Sequence, residues 1–247
     1  MNRLFCSLDW VGPENAVEVA GRLKGAVGGL KLGAEYLFLN GLSGVEPFQA
    51  LGLPIILDMK LNGLPRVISN TVRRAAAVRP LAITVHATGG ATMMRAAAAA
   101  AHAAAQAGGF VRPKLLAVTV LTTMDDADLK ATGVVGSVRE QTLRLALLAK
   151  ACGLDGAWTS ADELPRLRAE LGTDFLLVVP AIRPAWSVSD DQKRIVTPGD
   201  AVRGGADYLV VGRPITQASD PAAAARRIVD EMSAAMARAP DVLSSAT

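Results

Sequence analysis

Residues 54–60 read PIILDMK, an apolar run that ends on an aspartate and a lysine two positions apart. Such a run suits a strand of a parallel sheet covered on both faces, where charge is tolerated only as the strand runs out. Comparable runs recur along the chain: LFCSLD (4–9), GGLKLG (28–33), LAITVHA (81–87), LLAVTVLT (115–122), GAWTS (156–160), FLLVVPA (175–181) and DYLVVG (207–212). Helically patterned segments such as ENAVEVAGRLKGAV, EQTLRLALLAKACG and ELPRLRAELG separate them. Eight alternating units in 247 residues predict an α/β fold, a closed (β/α)8 or TIM barrel. An open doubly wound sheet, with its usual complement of about five or six strands, fits less well. The expectation is one domain over residues 1–247 with no linker.

With 51% hydrophobic residues, the chain can bury a large core. Its net charge of +3 is spread over scattered Lys and Arg without an aromatic-interleaved basic stripe, so nucleic acid is not the expected partner. Cys6 and Cys152 are too few and too far apart to imply a disulfide framework or a zinc site. The N-terminal stretch MNRLFCSLDW lacks a signal-peptide core, and no run approaches the roughly 18 apolar residues of a membrane span. A cytoplasmic protein without membrane association is expected.

The run MMRAAAAAAHAAAQAGG reads as a helix after the fourth strand, stopped by its glycine pair. Its His102 has no partner in sequence and is assigned to surface or packing. In TPGDAVRGGAD, Thr197 reads as an N-cap, Pro198 as first-turn residue and Asp200 as the capping-box acid.

In a (β/α) barrel the functional groups gather at the C-terminal ends of the strands. Those ends carry Asp9, Lys31, Asp58 with Lys60, His86, Thr122 with Thr123, Pro180 to Arg183, and Gly212 with Arg213. Any one of them is equally well a charge meeting solvent. Asp58 and Lys60 together are harder to dismiss, because residues i and i+2 of a strand point to one side. Should Lys31 on the adjacent strand point the same way, one carboxylate lies between two ammonium groups. Gly212 and Arg213 follow the eighth strand, where barrels often bind phosphate, and Arg183 and Gln192 flank the loop after the seventh. His86 before a Gly-Gly turn reads more readily as a hydrogen-bonded structural residue than as a base. No metal-binding cluster, Gly-rich dinucleotide loop or Ser-His-Asp arrangement is visible.

Taken together, LKLGAEY, LDMK, VHATGGATMM, AVTVLTTMDDADL, CGLDG, PAIRP, DQKRIVTP and GADYLVVGRPIT, in this order, resemble the orotidine 5'-phosphate decarboxylase family over almost the whole chain. The resemblance implies a homodimeric barrel that converts orotidine 5'-phosphate to UMP and carbon dioxide in the last step of de novo pyrimidine biosynthesis, with no cofactor or metal. It implies Lys60 as proton donor to the C6 carbanion, with Asp58 and Lys31 in the same charge network. Lys31 also reaches the ribose, and Asp9 binds ribose hydroxyls. Thr122 and Thr123 lie by the pyrimidine; Gln192, Arg213, the backbone at Gly212 and the Arg183 loop, which begins at Pro180, hold the phosphate.

One departure stands out. Where the family continues from its lysine with a run like KLHDIPNTV, this chain reads KLNGLPRVI, so Gly63 replaces a second aspartate and Val67 a threonine. In the family both reach into the partner subunit's site. Ala181, usually glycine, and Trp158, usually a smaller aliphatic residue, add to the remodelling. The expectation is weak decarboxylation, with a catalytically impaired UMP- or orotidine 5'-phosphate-binding protein as the alternative. Asn62-Gly63 read without the family is simply a good turn. A related barrel acting on a sugar phosphate is disfavoured, since such relatives use the same Asp-x-Lys-x-x-Asp pattern and lack the long VTVLTTMDDADL match.

Overall fold

The computed structural model describes residues 2–9, 11–187 and 196–237. Its strands are β1 (Leu4–Ser7), β2 (Gly29–Gly33), β3 (Ile55–Leu61), β4 (Ala82–His86), β5 (Lys114–Val118), β6 (Gly156–Trp158), β7 (Leu176–Val179) and β8 (Tyr208–Val211). They pair in parallel in sequence order, and β8 closes onto β1. Helices α1 (Pro13–Leu23), α2 (Ala34–Asn40), α3 (Glu46–Ala50), α4 (Pro65–Ala76), α5 (Gly90–Gly108), α6 (Asp126–Ala131), α7 (Val138–Ala151), α8 (Leu164–Leu171), α9 (Pro198–Arg203), α10 (Arg213–Thr216) and α11 (Pro221–Ala237) intervene or follow. This is the predicted TIM barrel.

Alternation along the strands separates two sets of buried side chains. Phe5, Ile56, Ala82, Leu116, Val118, Trp158, Val178 and Val210 form one cluster, while the neighbours of these residues in sequence, such as Leu4, Cys6, Leu57 and Ile83, pack in the larger cluster with the helices. Continuing the first set by two residues brings the chain to Ser7, Asp58 and Thr84.

Several strands are shorter than their apolar runs. β5 ends at Val118, before Thr122, and Thr119 just beyond it gives both its N–H and its hydroxyl to the Trp158 carbonyl. β7 ends before Pro180, which has no N–H to continue a ladder. Thr197 caps α9 as expected, accepting from the Asp200 N–H at 3.1 Å. Gly109 ends α5 in the left-handed conformation that glycine adopts without strain, and His102 is exposed on that helix.

The N-terminal end of the barrel is closed by two ion pairs. Arg112 grips Asp155 with both guanidinium nitrogens, at 2.9 and 2.5 Å, and the Asp155 carboxylate also accepts the Leu115 N–H. Arg168 pairs with Asp207 at 2.7 Å, and Asp207 accepts the Leu177 N–H. Each carboxylate therefore satisfies a backbone donor at the start of a strand as well as an arginine.

Candidate active site

A cleft of about 290 Å³ opens at the C-terminal end of the strands. It brings together Lys31, Asp58, Lys60, Thr122, Thr123, Pro180, Arg183, Gly212 and Arg213. Asp9 lines an adjoining recess that shares Asp58 and Lys60. Gln192 lies outside the described residues. His86 is not among the lining residues of the cleft.

The charged groups form an alternating chain, Asp9, Lys31, Asp58, Lys60. Lys31 Nζ donates to Asp9 and, at 3.2 Å, to Asp58 Oδ2; Lys60 Nζ donates to the same Asp58 oxygen at 2.5 Å. The Lys31 and Asp58 side chains are 5% and 2% exposed whereas that of Lys60 is 38% exposed, so the array is anchored in protein and ends on an ammonium facing the cleft. Two lysines thus share two carboxylates, not the single one expected from the strand pattern, and the four charges cancel. Close approach is built in at Gly33, where a Cβ would collide with the Asp9 carboxylate and whose N–H donates to Asp9 Oδ1 at 2.8 Å.

Burial alone raises the Asp58 carboxyl's pKa, but Lys31, Lys60 and the hydrogen bonds from Lys60 and Thr84 outweigh it and hold the group below the ordinary carboxylate range. For Lys31, burial favours the neutral amine, and the Asp58 and Asp9 carboxylates reverse this and raise its pKa. His86 is pushed down by burial and by Lys60, with Asp58 opposing. Among the described residues no cluster of three or more His, Cys, Asp or Glu is placed to hold a metal ion.

Lys60 does not reach Asp58 by plain strand alternation. The pairing of β3 with β4 shifts between Leu57 and Leu61, and Lys60 has a φ of 45°, in the left-handed region that costs a lysine energy. Thr84 holds that conformation: its hydroxyl accepts the Lys60 N–H at 2.8 Å and donates to Asp58 Oδ1 at 3.0 Å. Backbone strain of this kind persists where surrounding contacts over-determine it. Sequence reasoning missed Thr84 and also Ser7, which donates to Asp9 at 3.2 Å. The available signal was a hydroxyl in an otherwise apolar run, a weak one because threonine is a good strand former.

Asn62-Gly63 is not a left-handed turn. Neither residue has a positive φ, and Gly63 is an exposed bend leading into α4. A Cβ at Gly63 would meet only Ile68, at 3.5 Å, an ordinary contact. Glycine is therefore not required there by backbone or by space.

A closed parallel barrel with a cleft of about 290 Å³ at its mouth, an alternating buried charge chain and two arginines at the opposite strands defines an enzyme-like TIM barrel with a site for an anionic ligand. The chain belongs to the orotidine 5'-phosphate decarboxylase / HUMPS family, whose model matches residues 2–228. It is 50% identical to an orotidine 5'-phosphate decarboxylase of Rhodospirillum rubrum, over 94% of each chain. A Paramagnetospirillum magneticum protein of the same name is 44% identical, over 94% of this chain and 99% of its own. Among solved structures, the orotidine 5'-phosphate decarboxylase of Lactobacillus acidophilus superposes with a TM-score of 0.82 at 35% identity, covering 94% of this chain and 99% of that one. An uncharacterized conserved protein from Geobacillus kaustophilus gives 0.81 at 30% identity, over 93% and 99%.

Proposed function

We propose that this chain decarboxylates orotidine 5'-phosphate to UMP, within pyrimidine biosynthesis, with Lys60 as the proton donor. The observation that carries the reading is the Asp9, Lys31, Asp58, Lys60 array, buried at one end and presenting an ammonium to the cleft at the other. In the reaction the bond from C6 to the carboxylate breaks, its electron pair stays on C6, carbon dioxide leaves, and Lys60 Nζ delivers a proton to C6. An ammonium fixed beside the developing carbanion stabilises it before proton transfer, and in a site set up beforehand that stabilisation needs no reorganisation. Asp58 orients the ammonium, Lys31 and Asp9 face the ribose, and Thr122 and Thr123 face the base. Arg213, the Gly212 backbone, Arg183 and Gln192 hold the phosphate, whose binding energy orients the reacting ring.

Absence of a carboxylate at Gly63 makes this a slow member of its family. Removing one preorganised group typically costs about 3 to 4 kcal/mol of transition-state stabilisation. We further infer a cytoplasmic homodimer, supported by Leu64 and Val67, which stand 73% and 52% exposed beside Gly63 on the segment leading from the site. Among the described residues no helix is long and apolar enough to cross a membrane. The second reading, a UMP- or orotidine 5'-phosphate-binding protein with lost catalysis, is favoured by Gly63 alone.

The test is to follow pyrimidine absorbance after adding orotidine 5'-phosphate to wild type and to Lys60→Ala. Turnover is expected in wild type and a loss of about 10²- to 10⁴-fold in kcat in the variant. Equal rates in the two proteins would remove Lys60 from the chemistry.

A further inference from the structure

Lys60 has a second neighbour besides Asp58. Its Nζ lies 5.8 Å from the centroid of the Trp158 ring, inside the range over which an ammonium is attracted to the face of an indole. Trp158 is 6% exposed, ends β6, and is held in register between Val118 of β5 and Val178 of β7. It lines the cleft together with Lys60, while its backbone carbonyl accepts two hydrogen bonds from Thr119. The ring is thus fixed by packing and the lysine reaches across the barrel mouth to it.

We propose that Trp158 is a positioning residue for Lys60, the second restraint on an ammonium whose other anchor is Asp58. A lysine head has three N–H donors on a flexible stem, and one bond to Asp58 leaves it free to pivot. The indole face limits that pivot through the attraction of its quadrupole for the cation, without adding a formal negative charge near an anionic substrate. It stands in a chain that has no carboxylate at position 63 to provide such a restraint. The kinetic part of this proposal rests on the decarboxylase reading; the contact itself does not.

Two measurements test it. In a Trp10→Phe, Trp186→Phe background, Trp158 is the only indole, and an ammonium against its ring quenches emission. Adding Lys60→Met should brighten Trp158 emission, and unchanged emission would overturn the contact. In the otherwise native enzyme, Trp158→Leu should lower kcat about tenfold with KM shifted less than about threefold, and Trp158→Phe, which keeps a ring face, should return kcat to within about threefold of wild type. Equal losses in Leu and Phe, or a change in KM alone, would leave Trp158 a packing residue and overturn the proposal. A wild-type protein with no turnover would refute the decarboxylase reading, while the emission arm still decides whether Trp158 holds Lys60.

Discussion

The two ends of the barrel use the same kinds of charged residue to opposite effect. At the N-terminal end, Asp155 and Asp207 each join an arginine to the N–H of the second residue of a strand, Leu115 and Leu177, so both carboxylates are engaged within the protein. At the C-terminal end, Asp58 joins two lysines and a threonine hydroxyl, and the last lysine remains open to the cleft. The first arrangement closes a structure; the second stores charge where a ligand can meet it. A buried ion pair by itself says little about function. What distinguishes the ends is whether the chain of pairs terminates in protein or in a cavity.

Removing one carboxylate at each end sharpens the contrast. Asp58→Asn should cost about 3 kcal/mol of stability, because it leaves Lys31 and Lys60 short of a partner at a buried site, and it should abolish most turnover. Chemical denaturation with parallel kinetics would show both losses together. Asp155→Asn should cost about 1 to 2 kcal/mol, since the amide oxygen can still accept the Leu115 N–H, and kcat should stay within about threefold of wild type. A large kinetic effect of Asp155→Asn would break the division between the ends.

Stability against pH separates the contributions further. Asp58 has a depressed folded pKa, so its contribution is present above the ordinary value of about 3.9 and is lost as pH falls through the folded value. Lys31 is raised, so its contribution is present below about 10.4 and lost as pH rises through its folded value. His86 is depressed, which places a first decline just below about pH 6.5. Burial also pushes the Cys6 thiol up, so the unfolded chain loses that proton first and stability falls as pH rises past the ordinary thiol value of about 8.5. Unfolding free energy should therefore be level only between about pH 6.5 and 8.5, and His86→Gln should remove the decline near pH 6 while leaving the more acid one. Persistence of that decline in the variant would show that another group produces it.

The smallest expected effect is at Ala181, a cleft-lining residue with a φ of 61°. An alanine in this region is strained by about 1 kcal/mol or more, part of which glycine gives back in chain entropy. Ala181→Gly should raise Tm by about 1 to 3 °C. A fall in Tm would mean that this backbone conformation is not populated in solution.

Much of this was legible in the sequence for identifiable reasons. Short apolar runs, most of them ending on polar or charged residues, located every strand, because a parallel strand buried on both faces has no polar side to confuse the pattern. The same rule placed Lys31, Asp58 and Arg213 at one mouth. Thr84 was hidden because its role depends on a neighbouring strand, and the left-handed Lys60 because its distortion arises from pairing with β4, whereas the local sequence pointed to Asn62-Gly63. The carboxylate count around Lys31 was also misjudged, since Asp9 joins the array through a turn that no local pattern specifies.

The central claim is that the cis charge array is complete and that the missing carboxylate at position 63 limits the rate. Turnover of orotidine 5'-phosphate by wild type and by Gly63→Asp, compared at saturating substrate, tests it most directly. The substitution needs no backbone change, and its Cβ meets only Ile68. Slow turnover in wild type and a kcat higher by about a hundred- to a thousandfold in Gly63→Asp is the predicted result; equal rates, or no turnover in either protein, would contradict it.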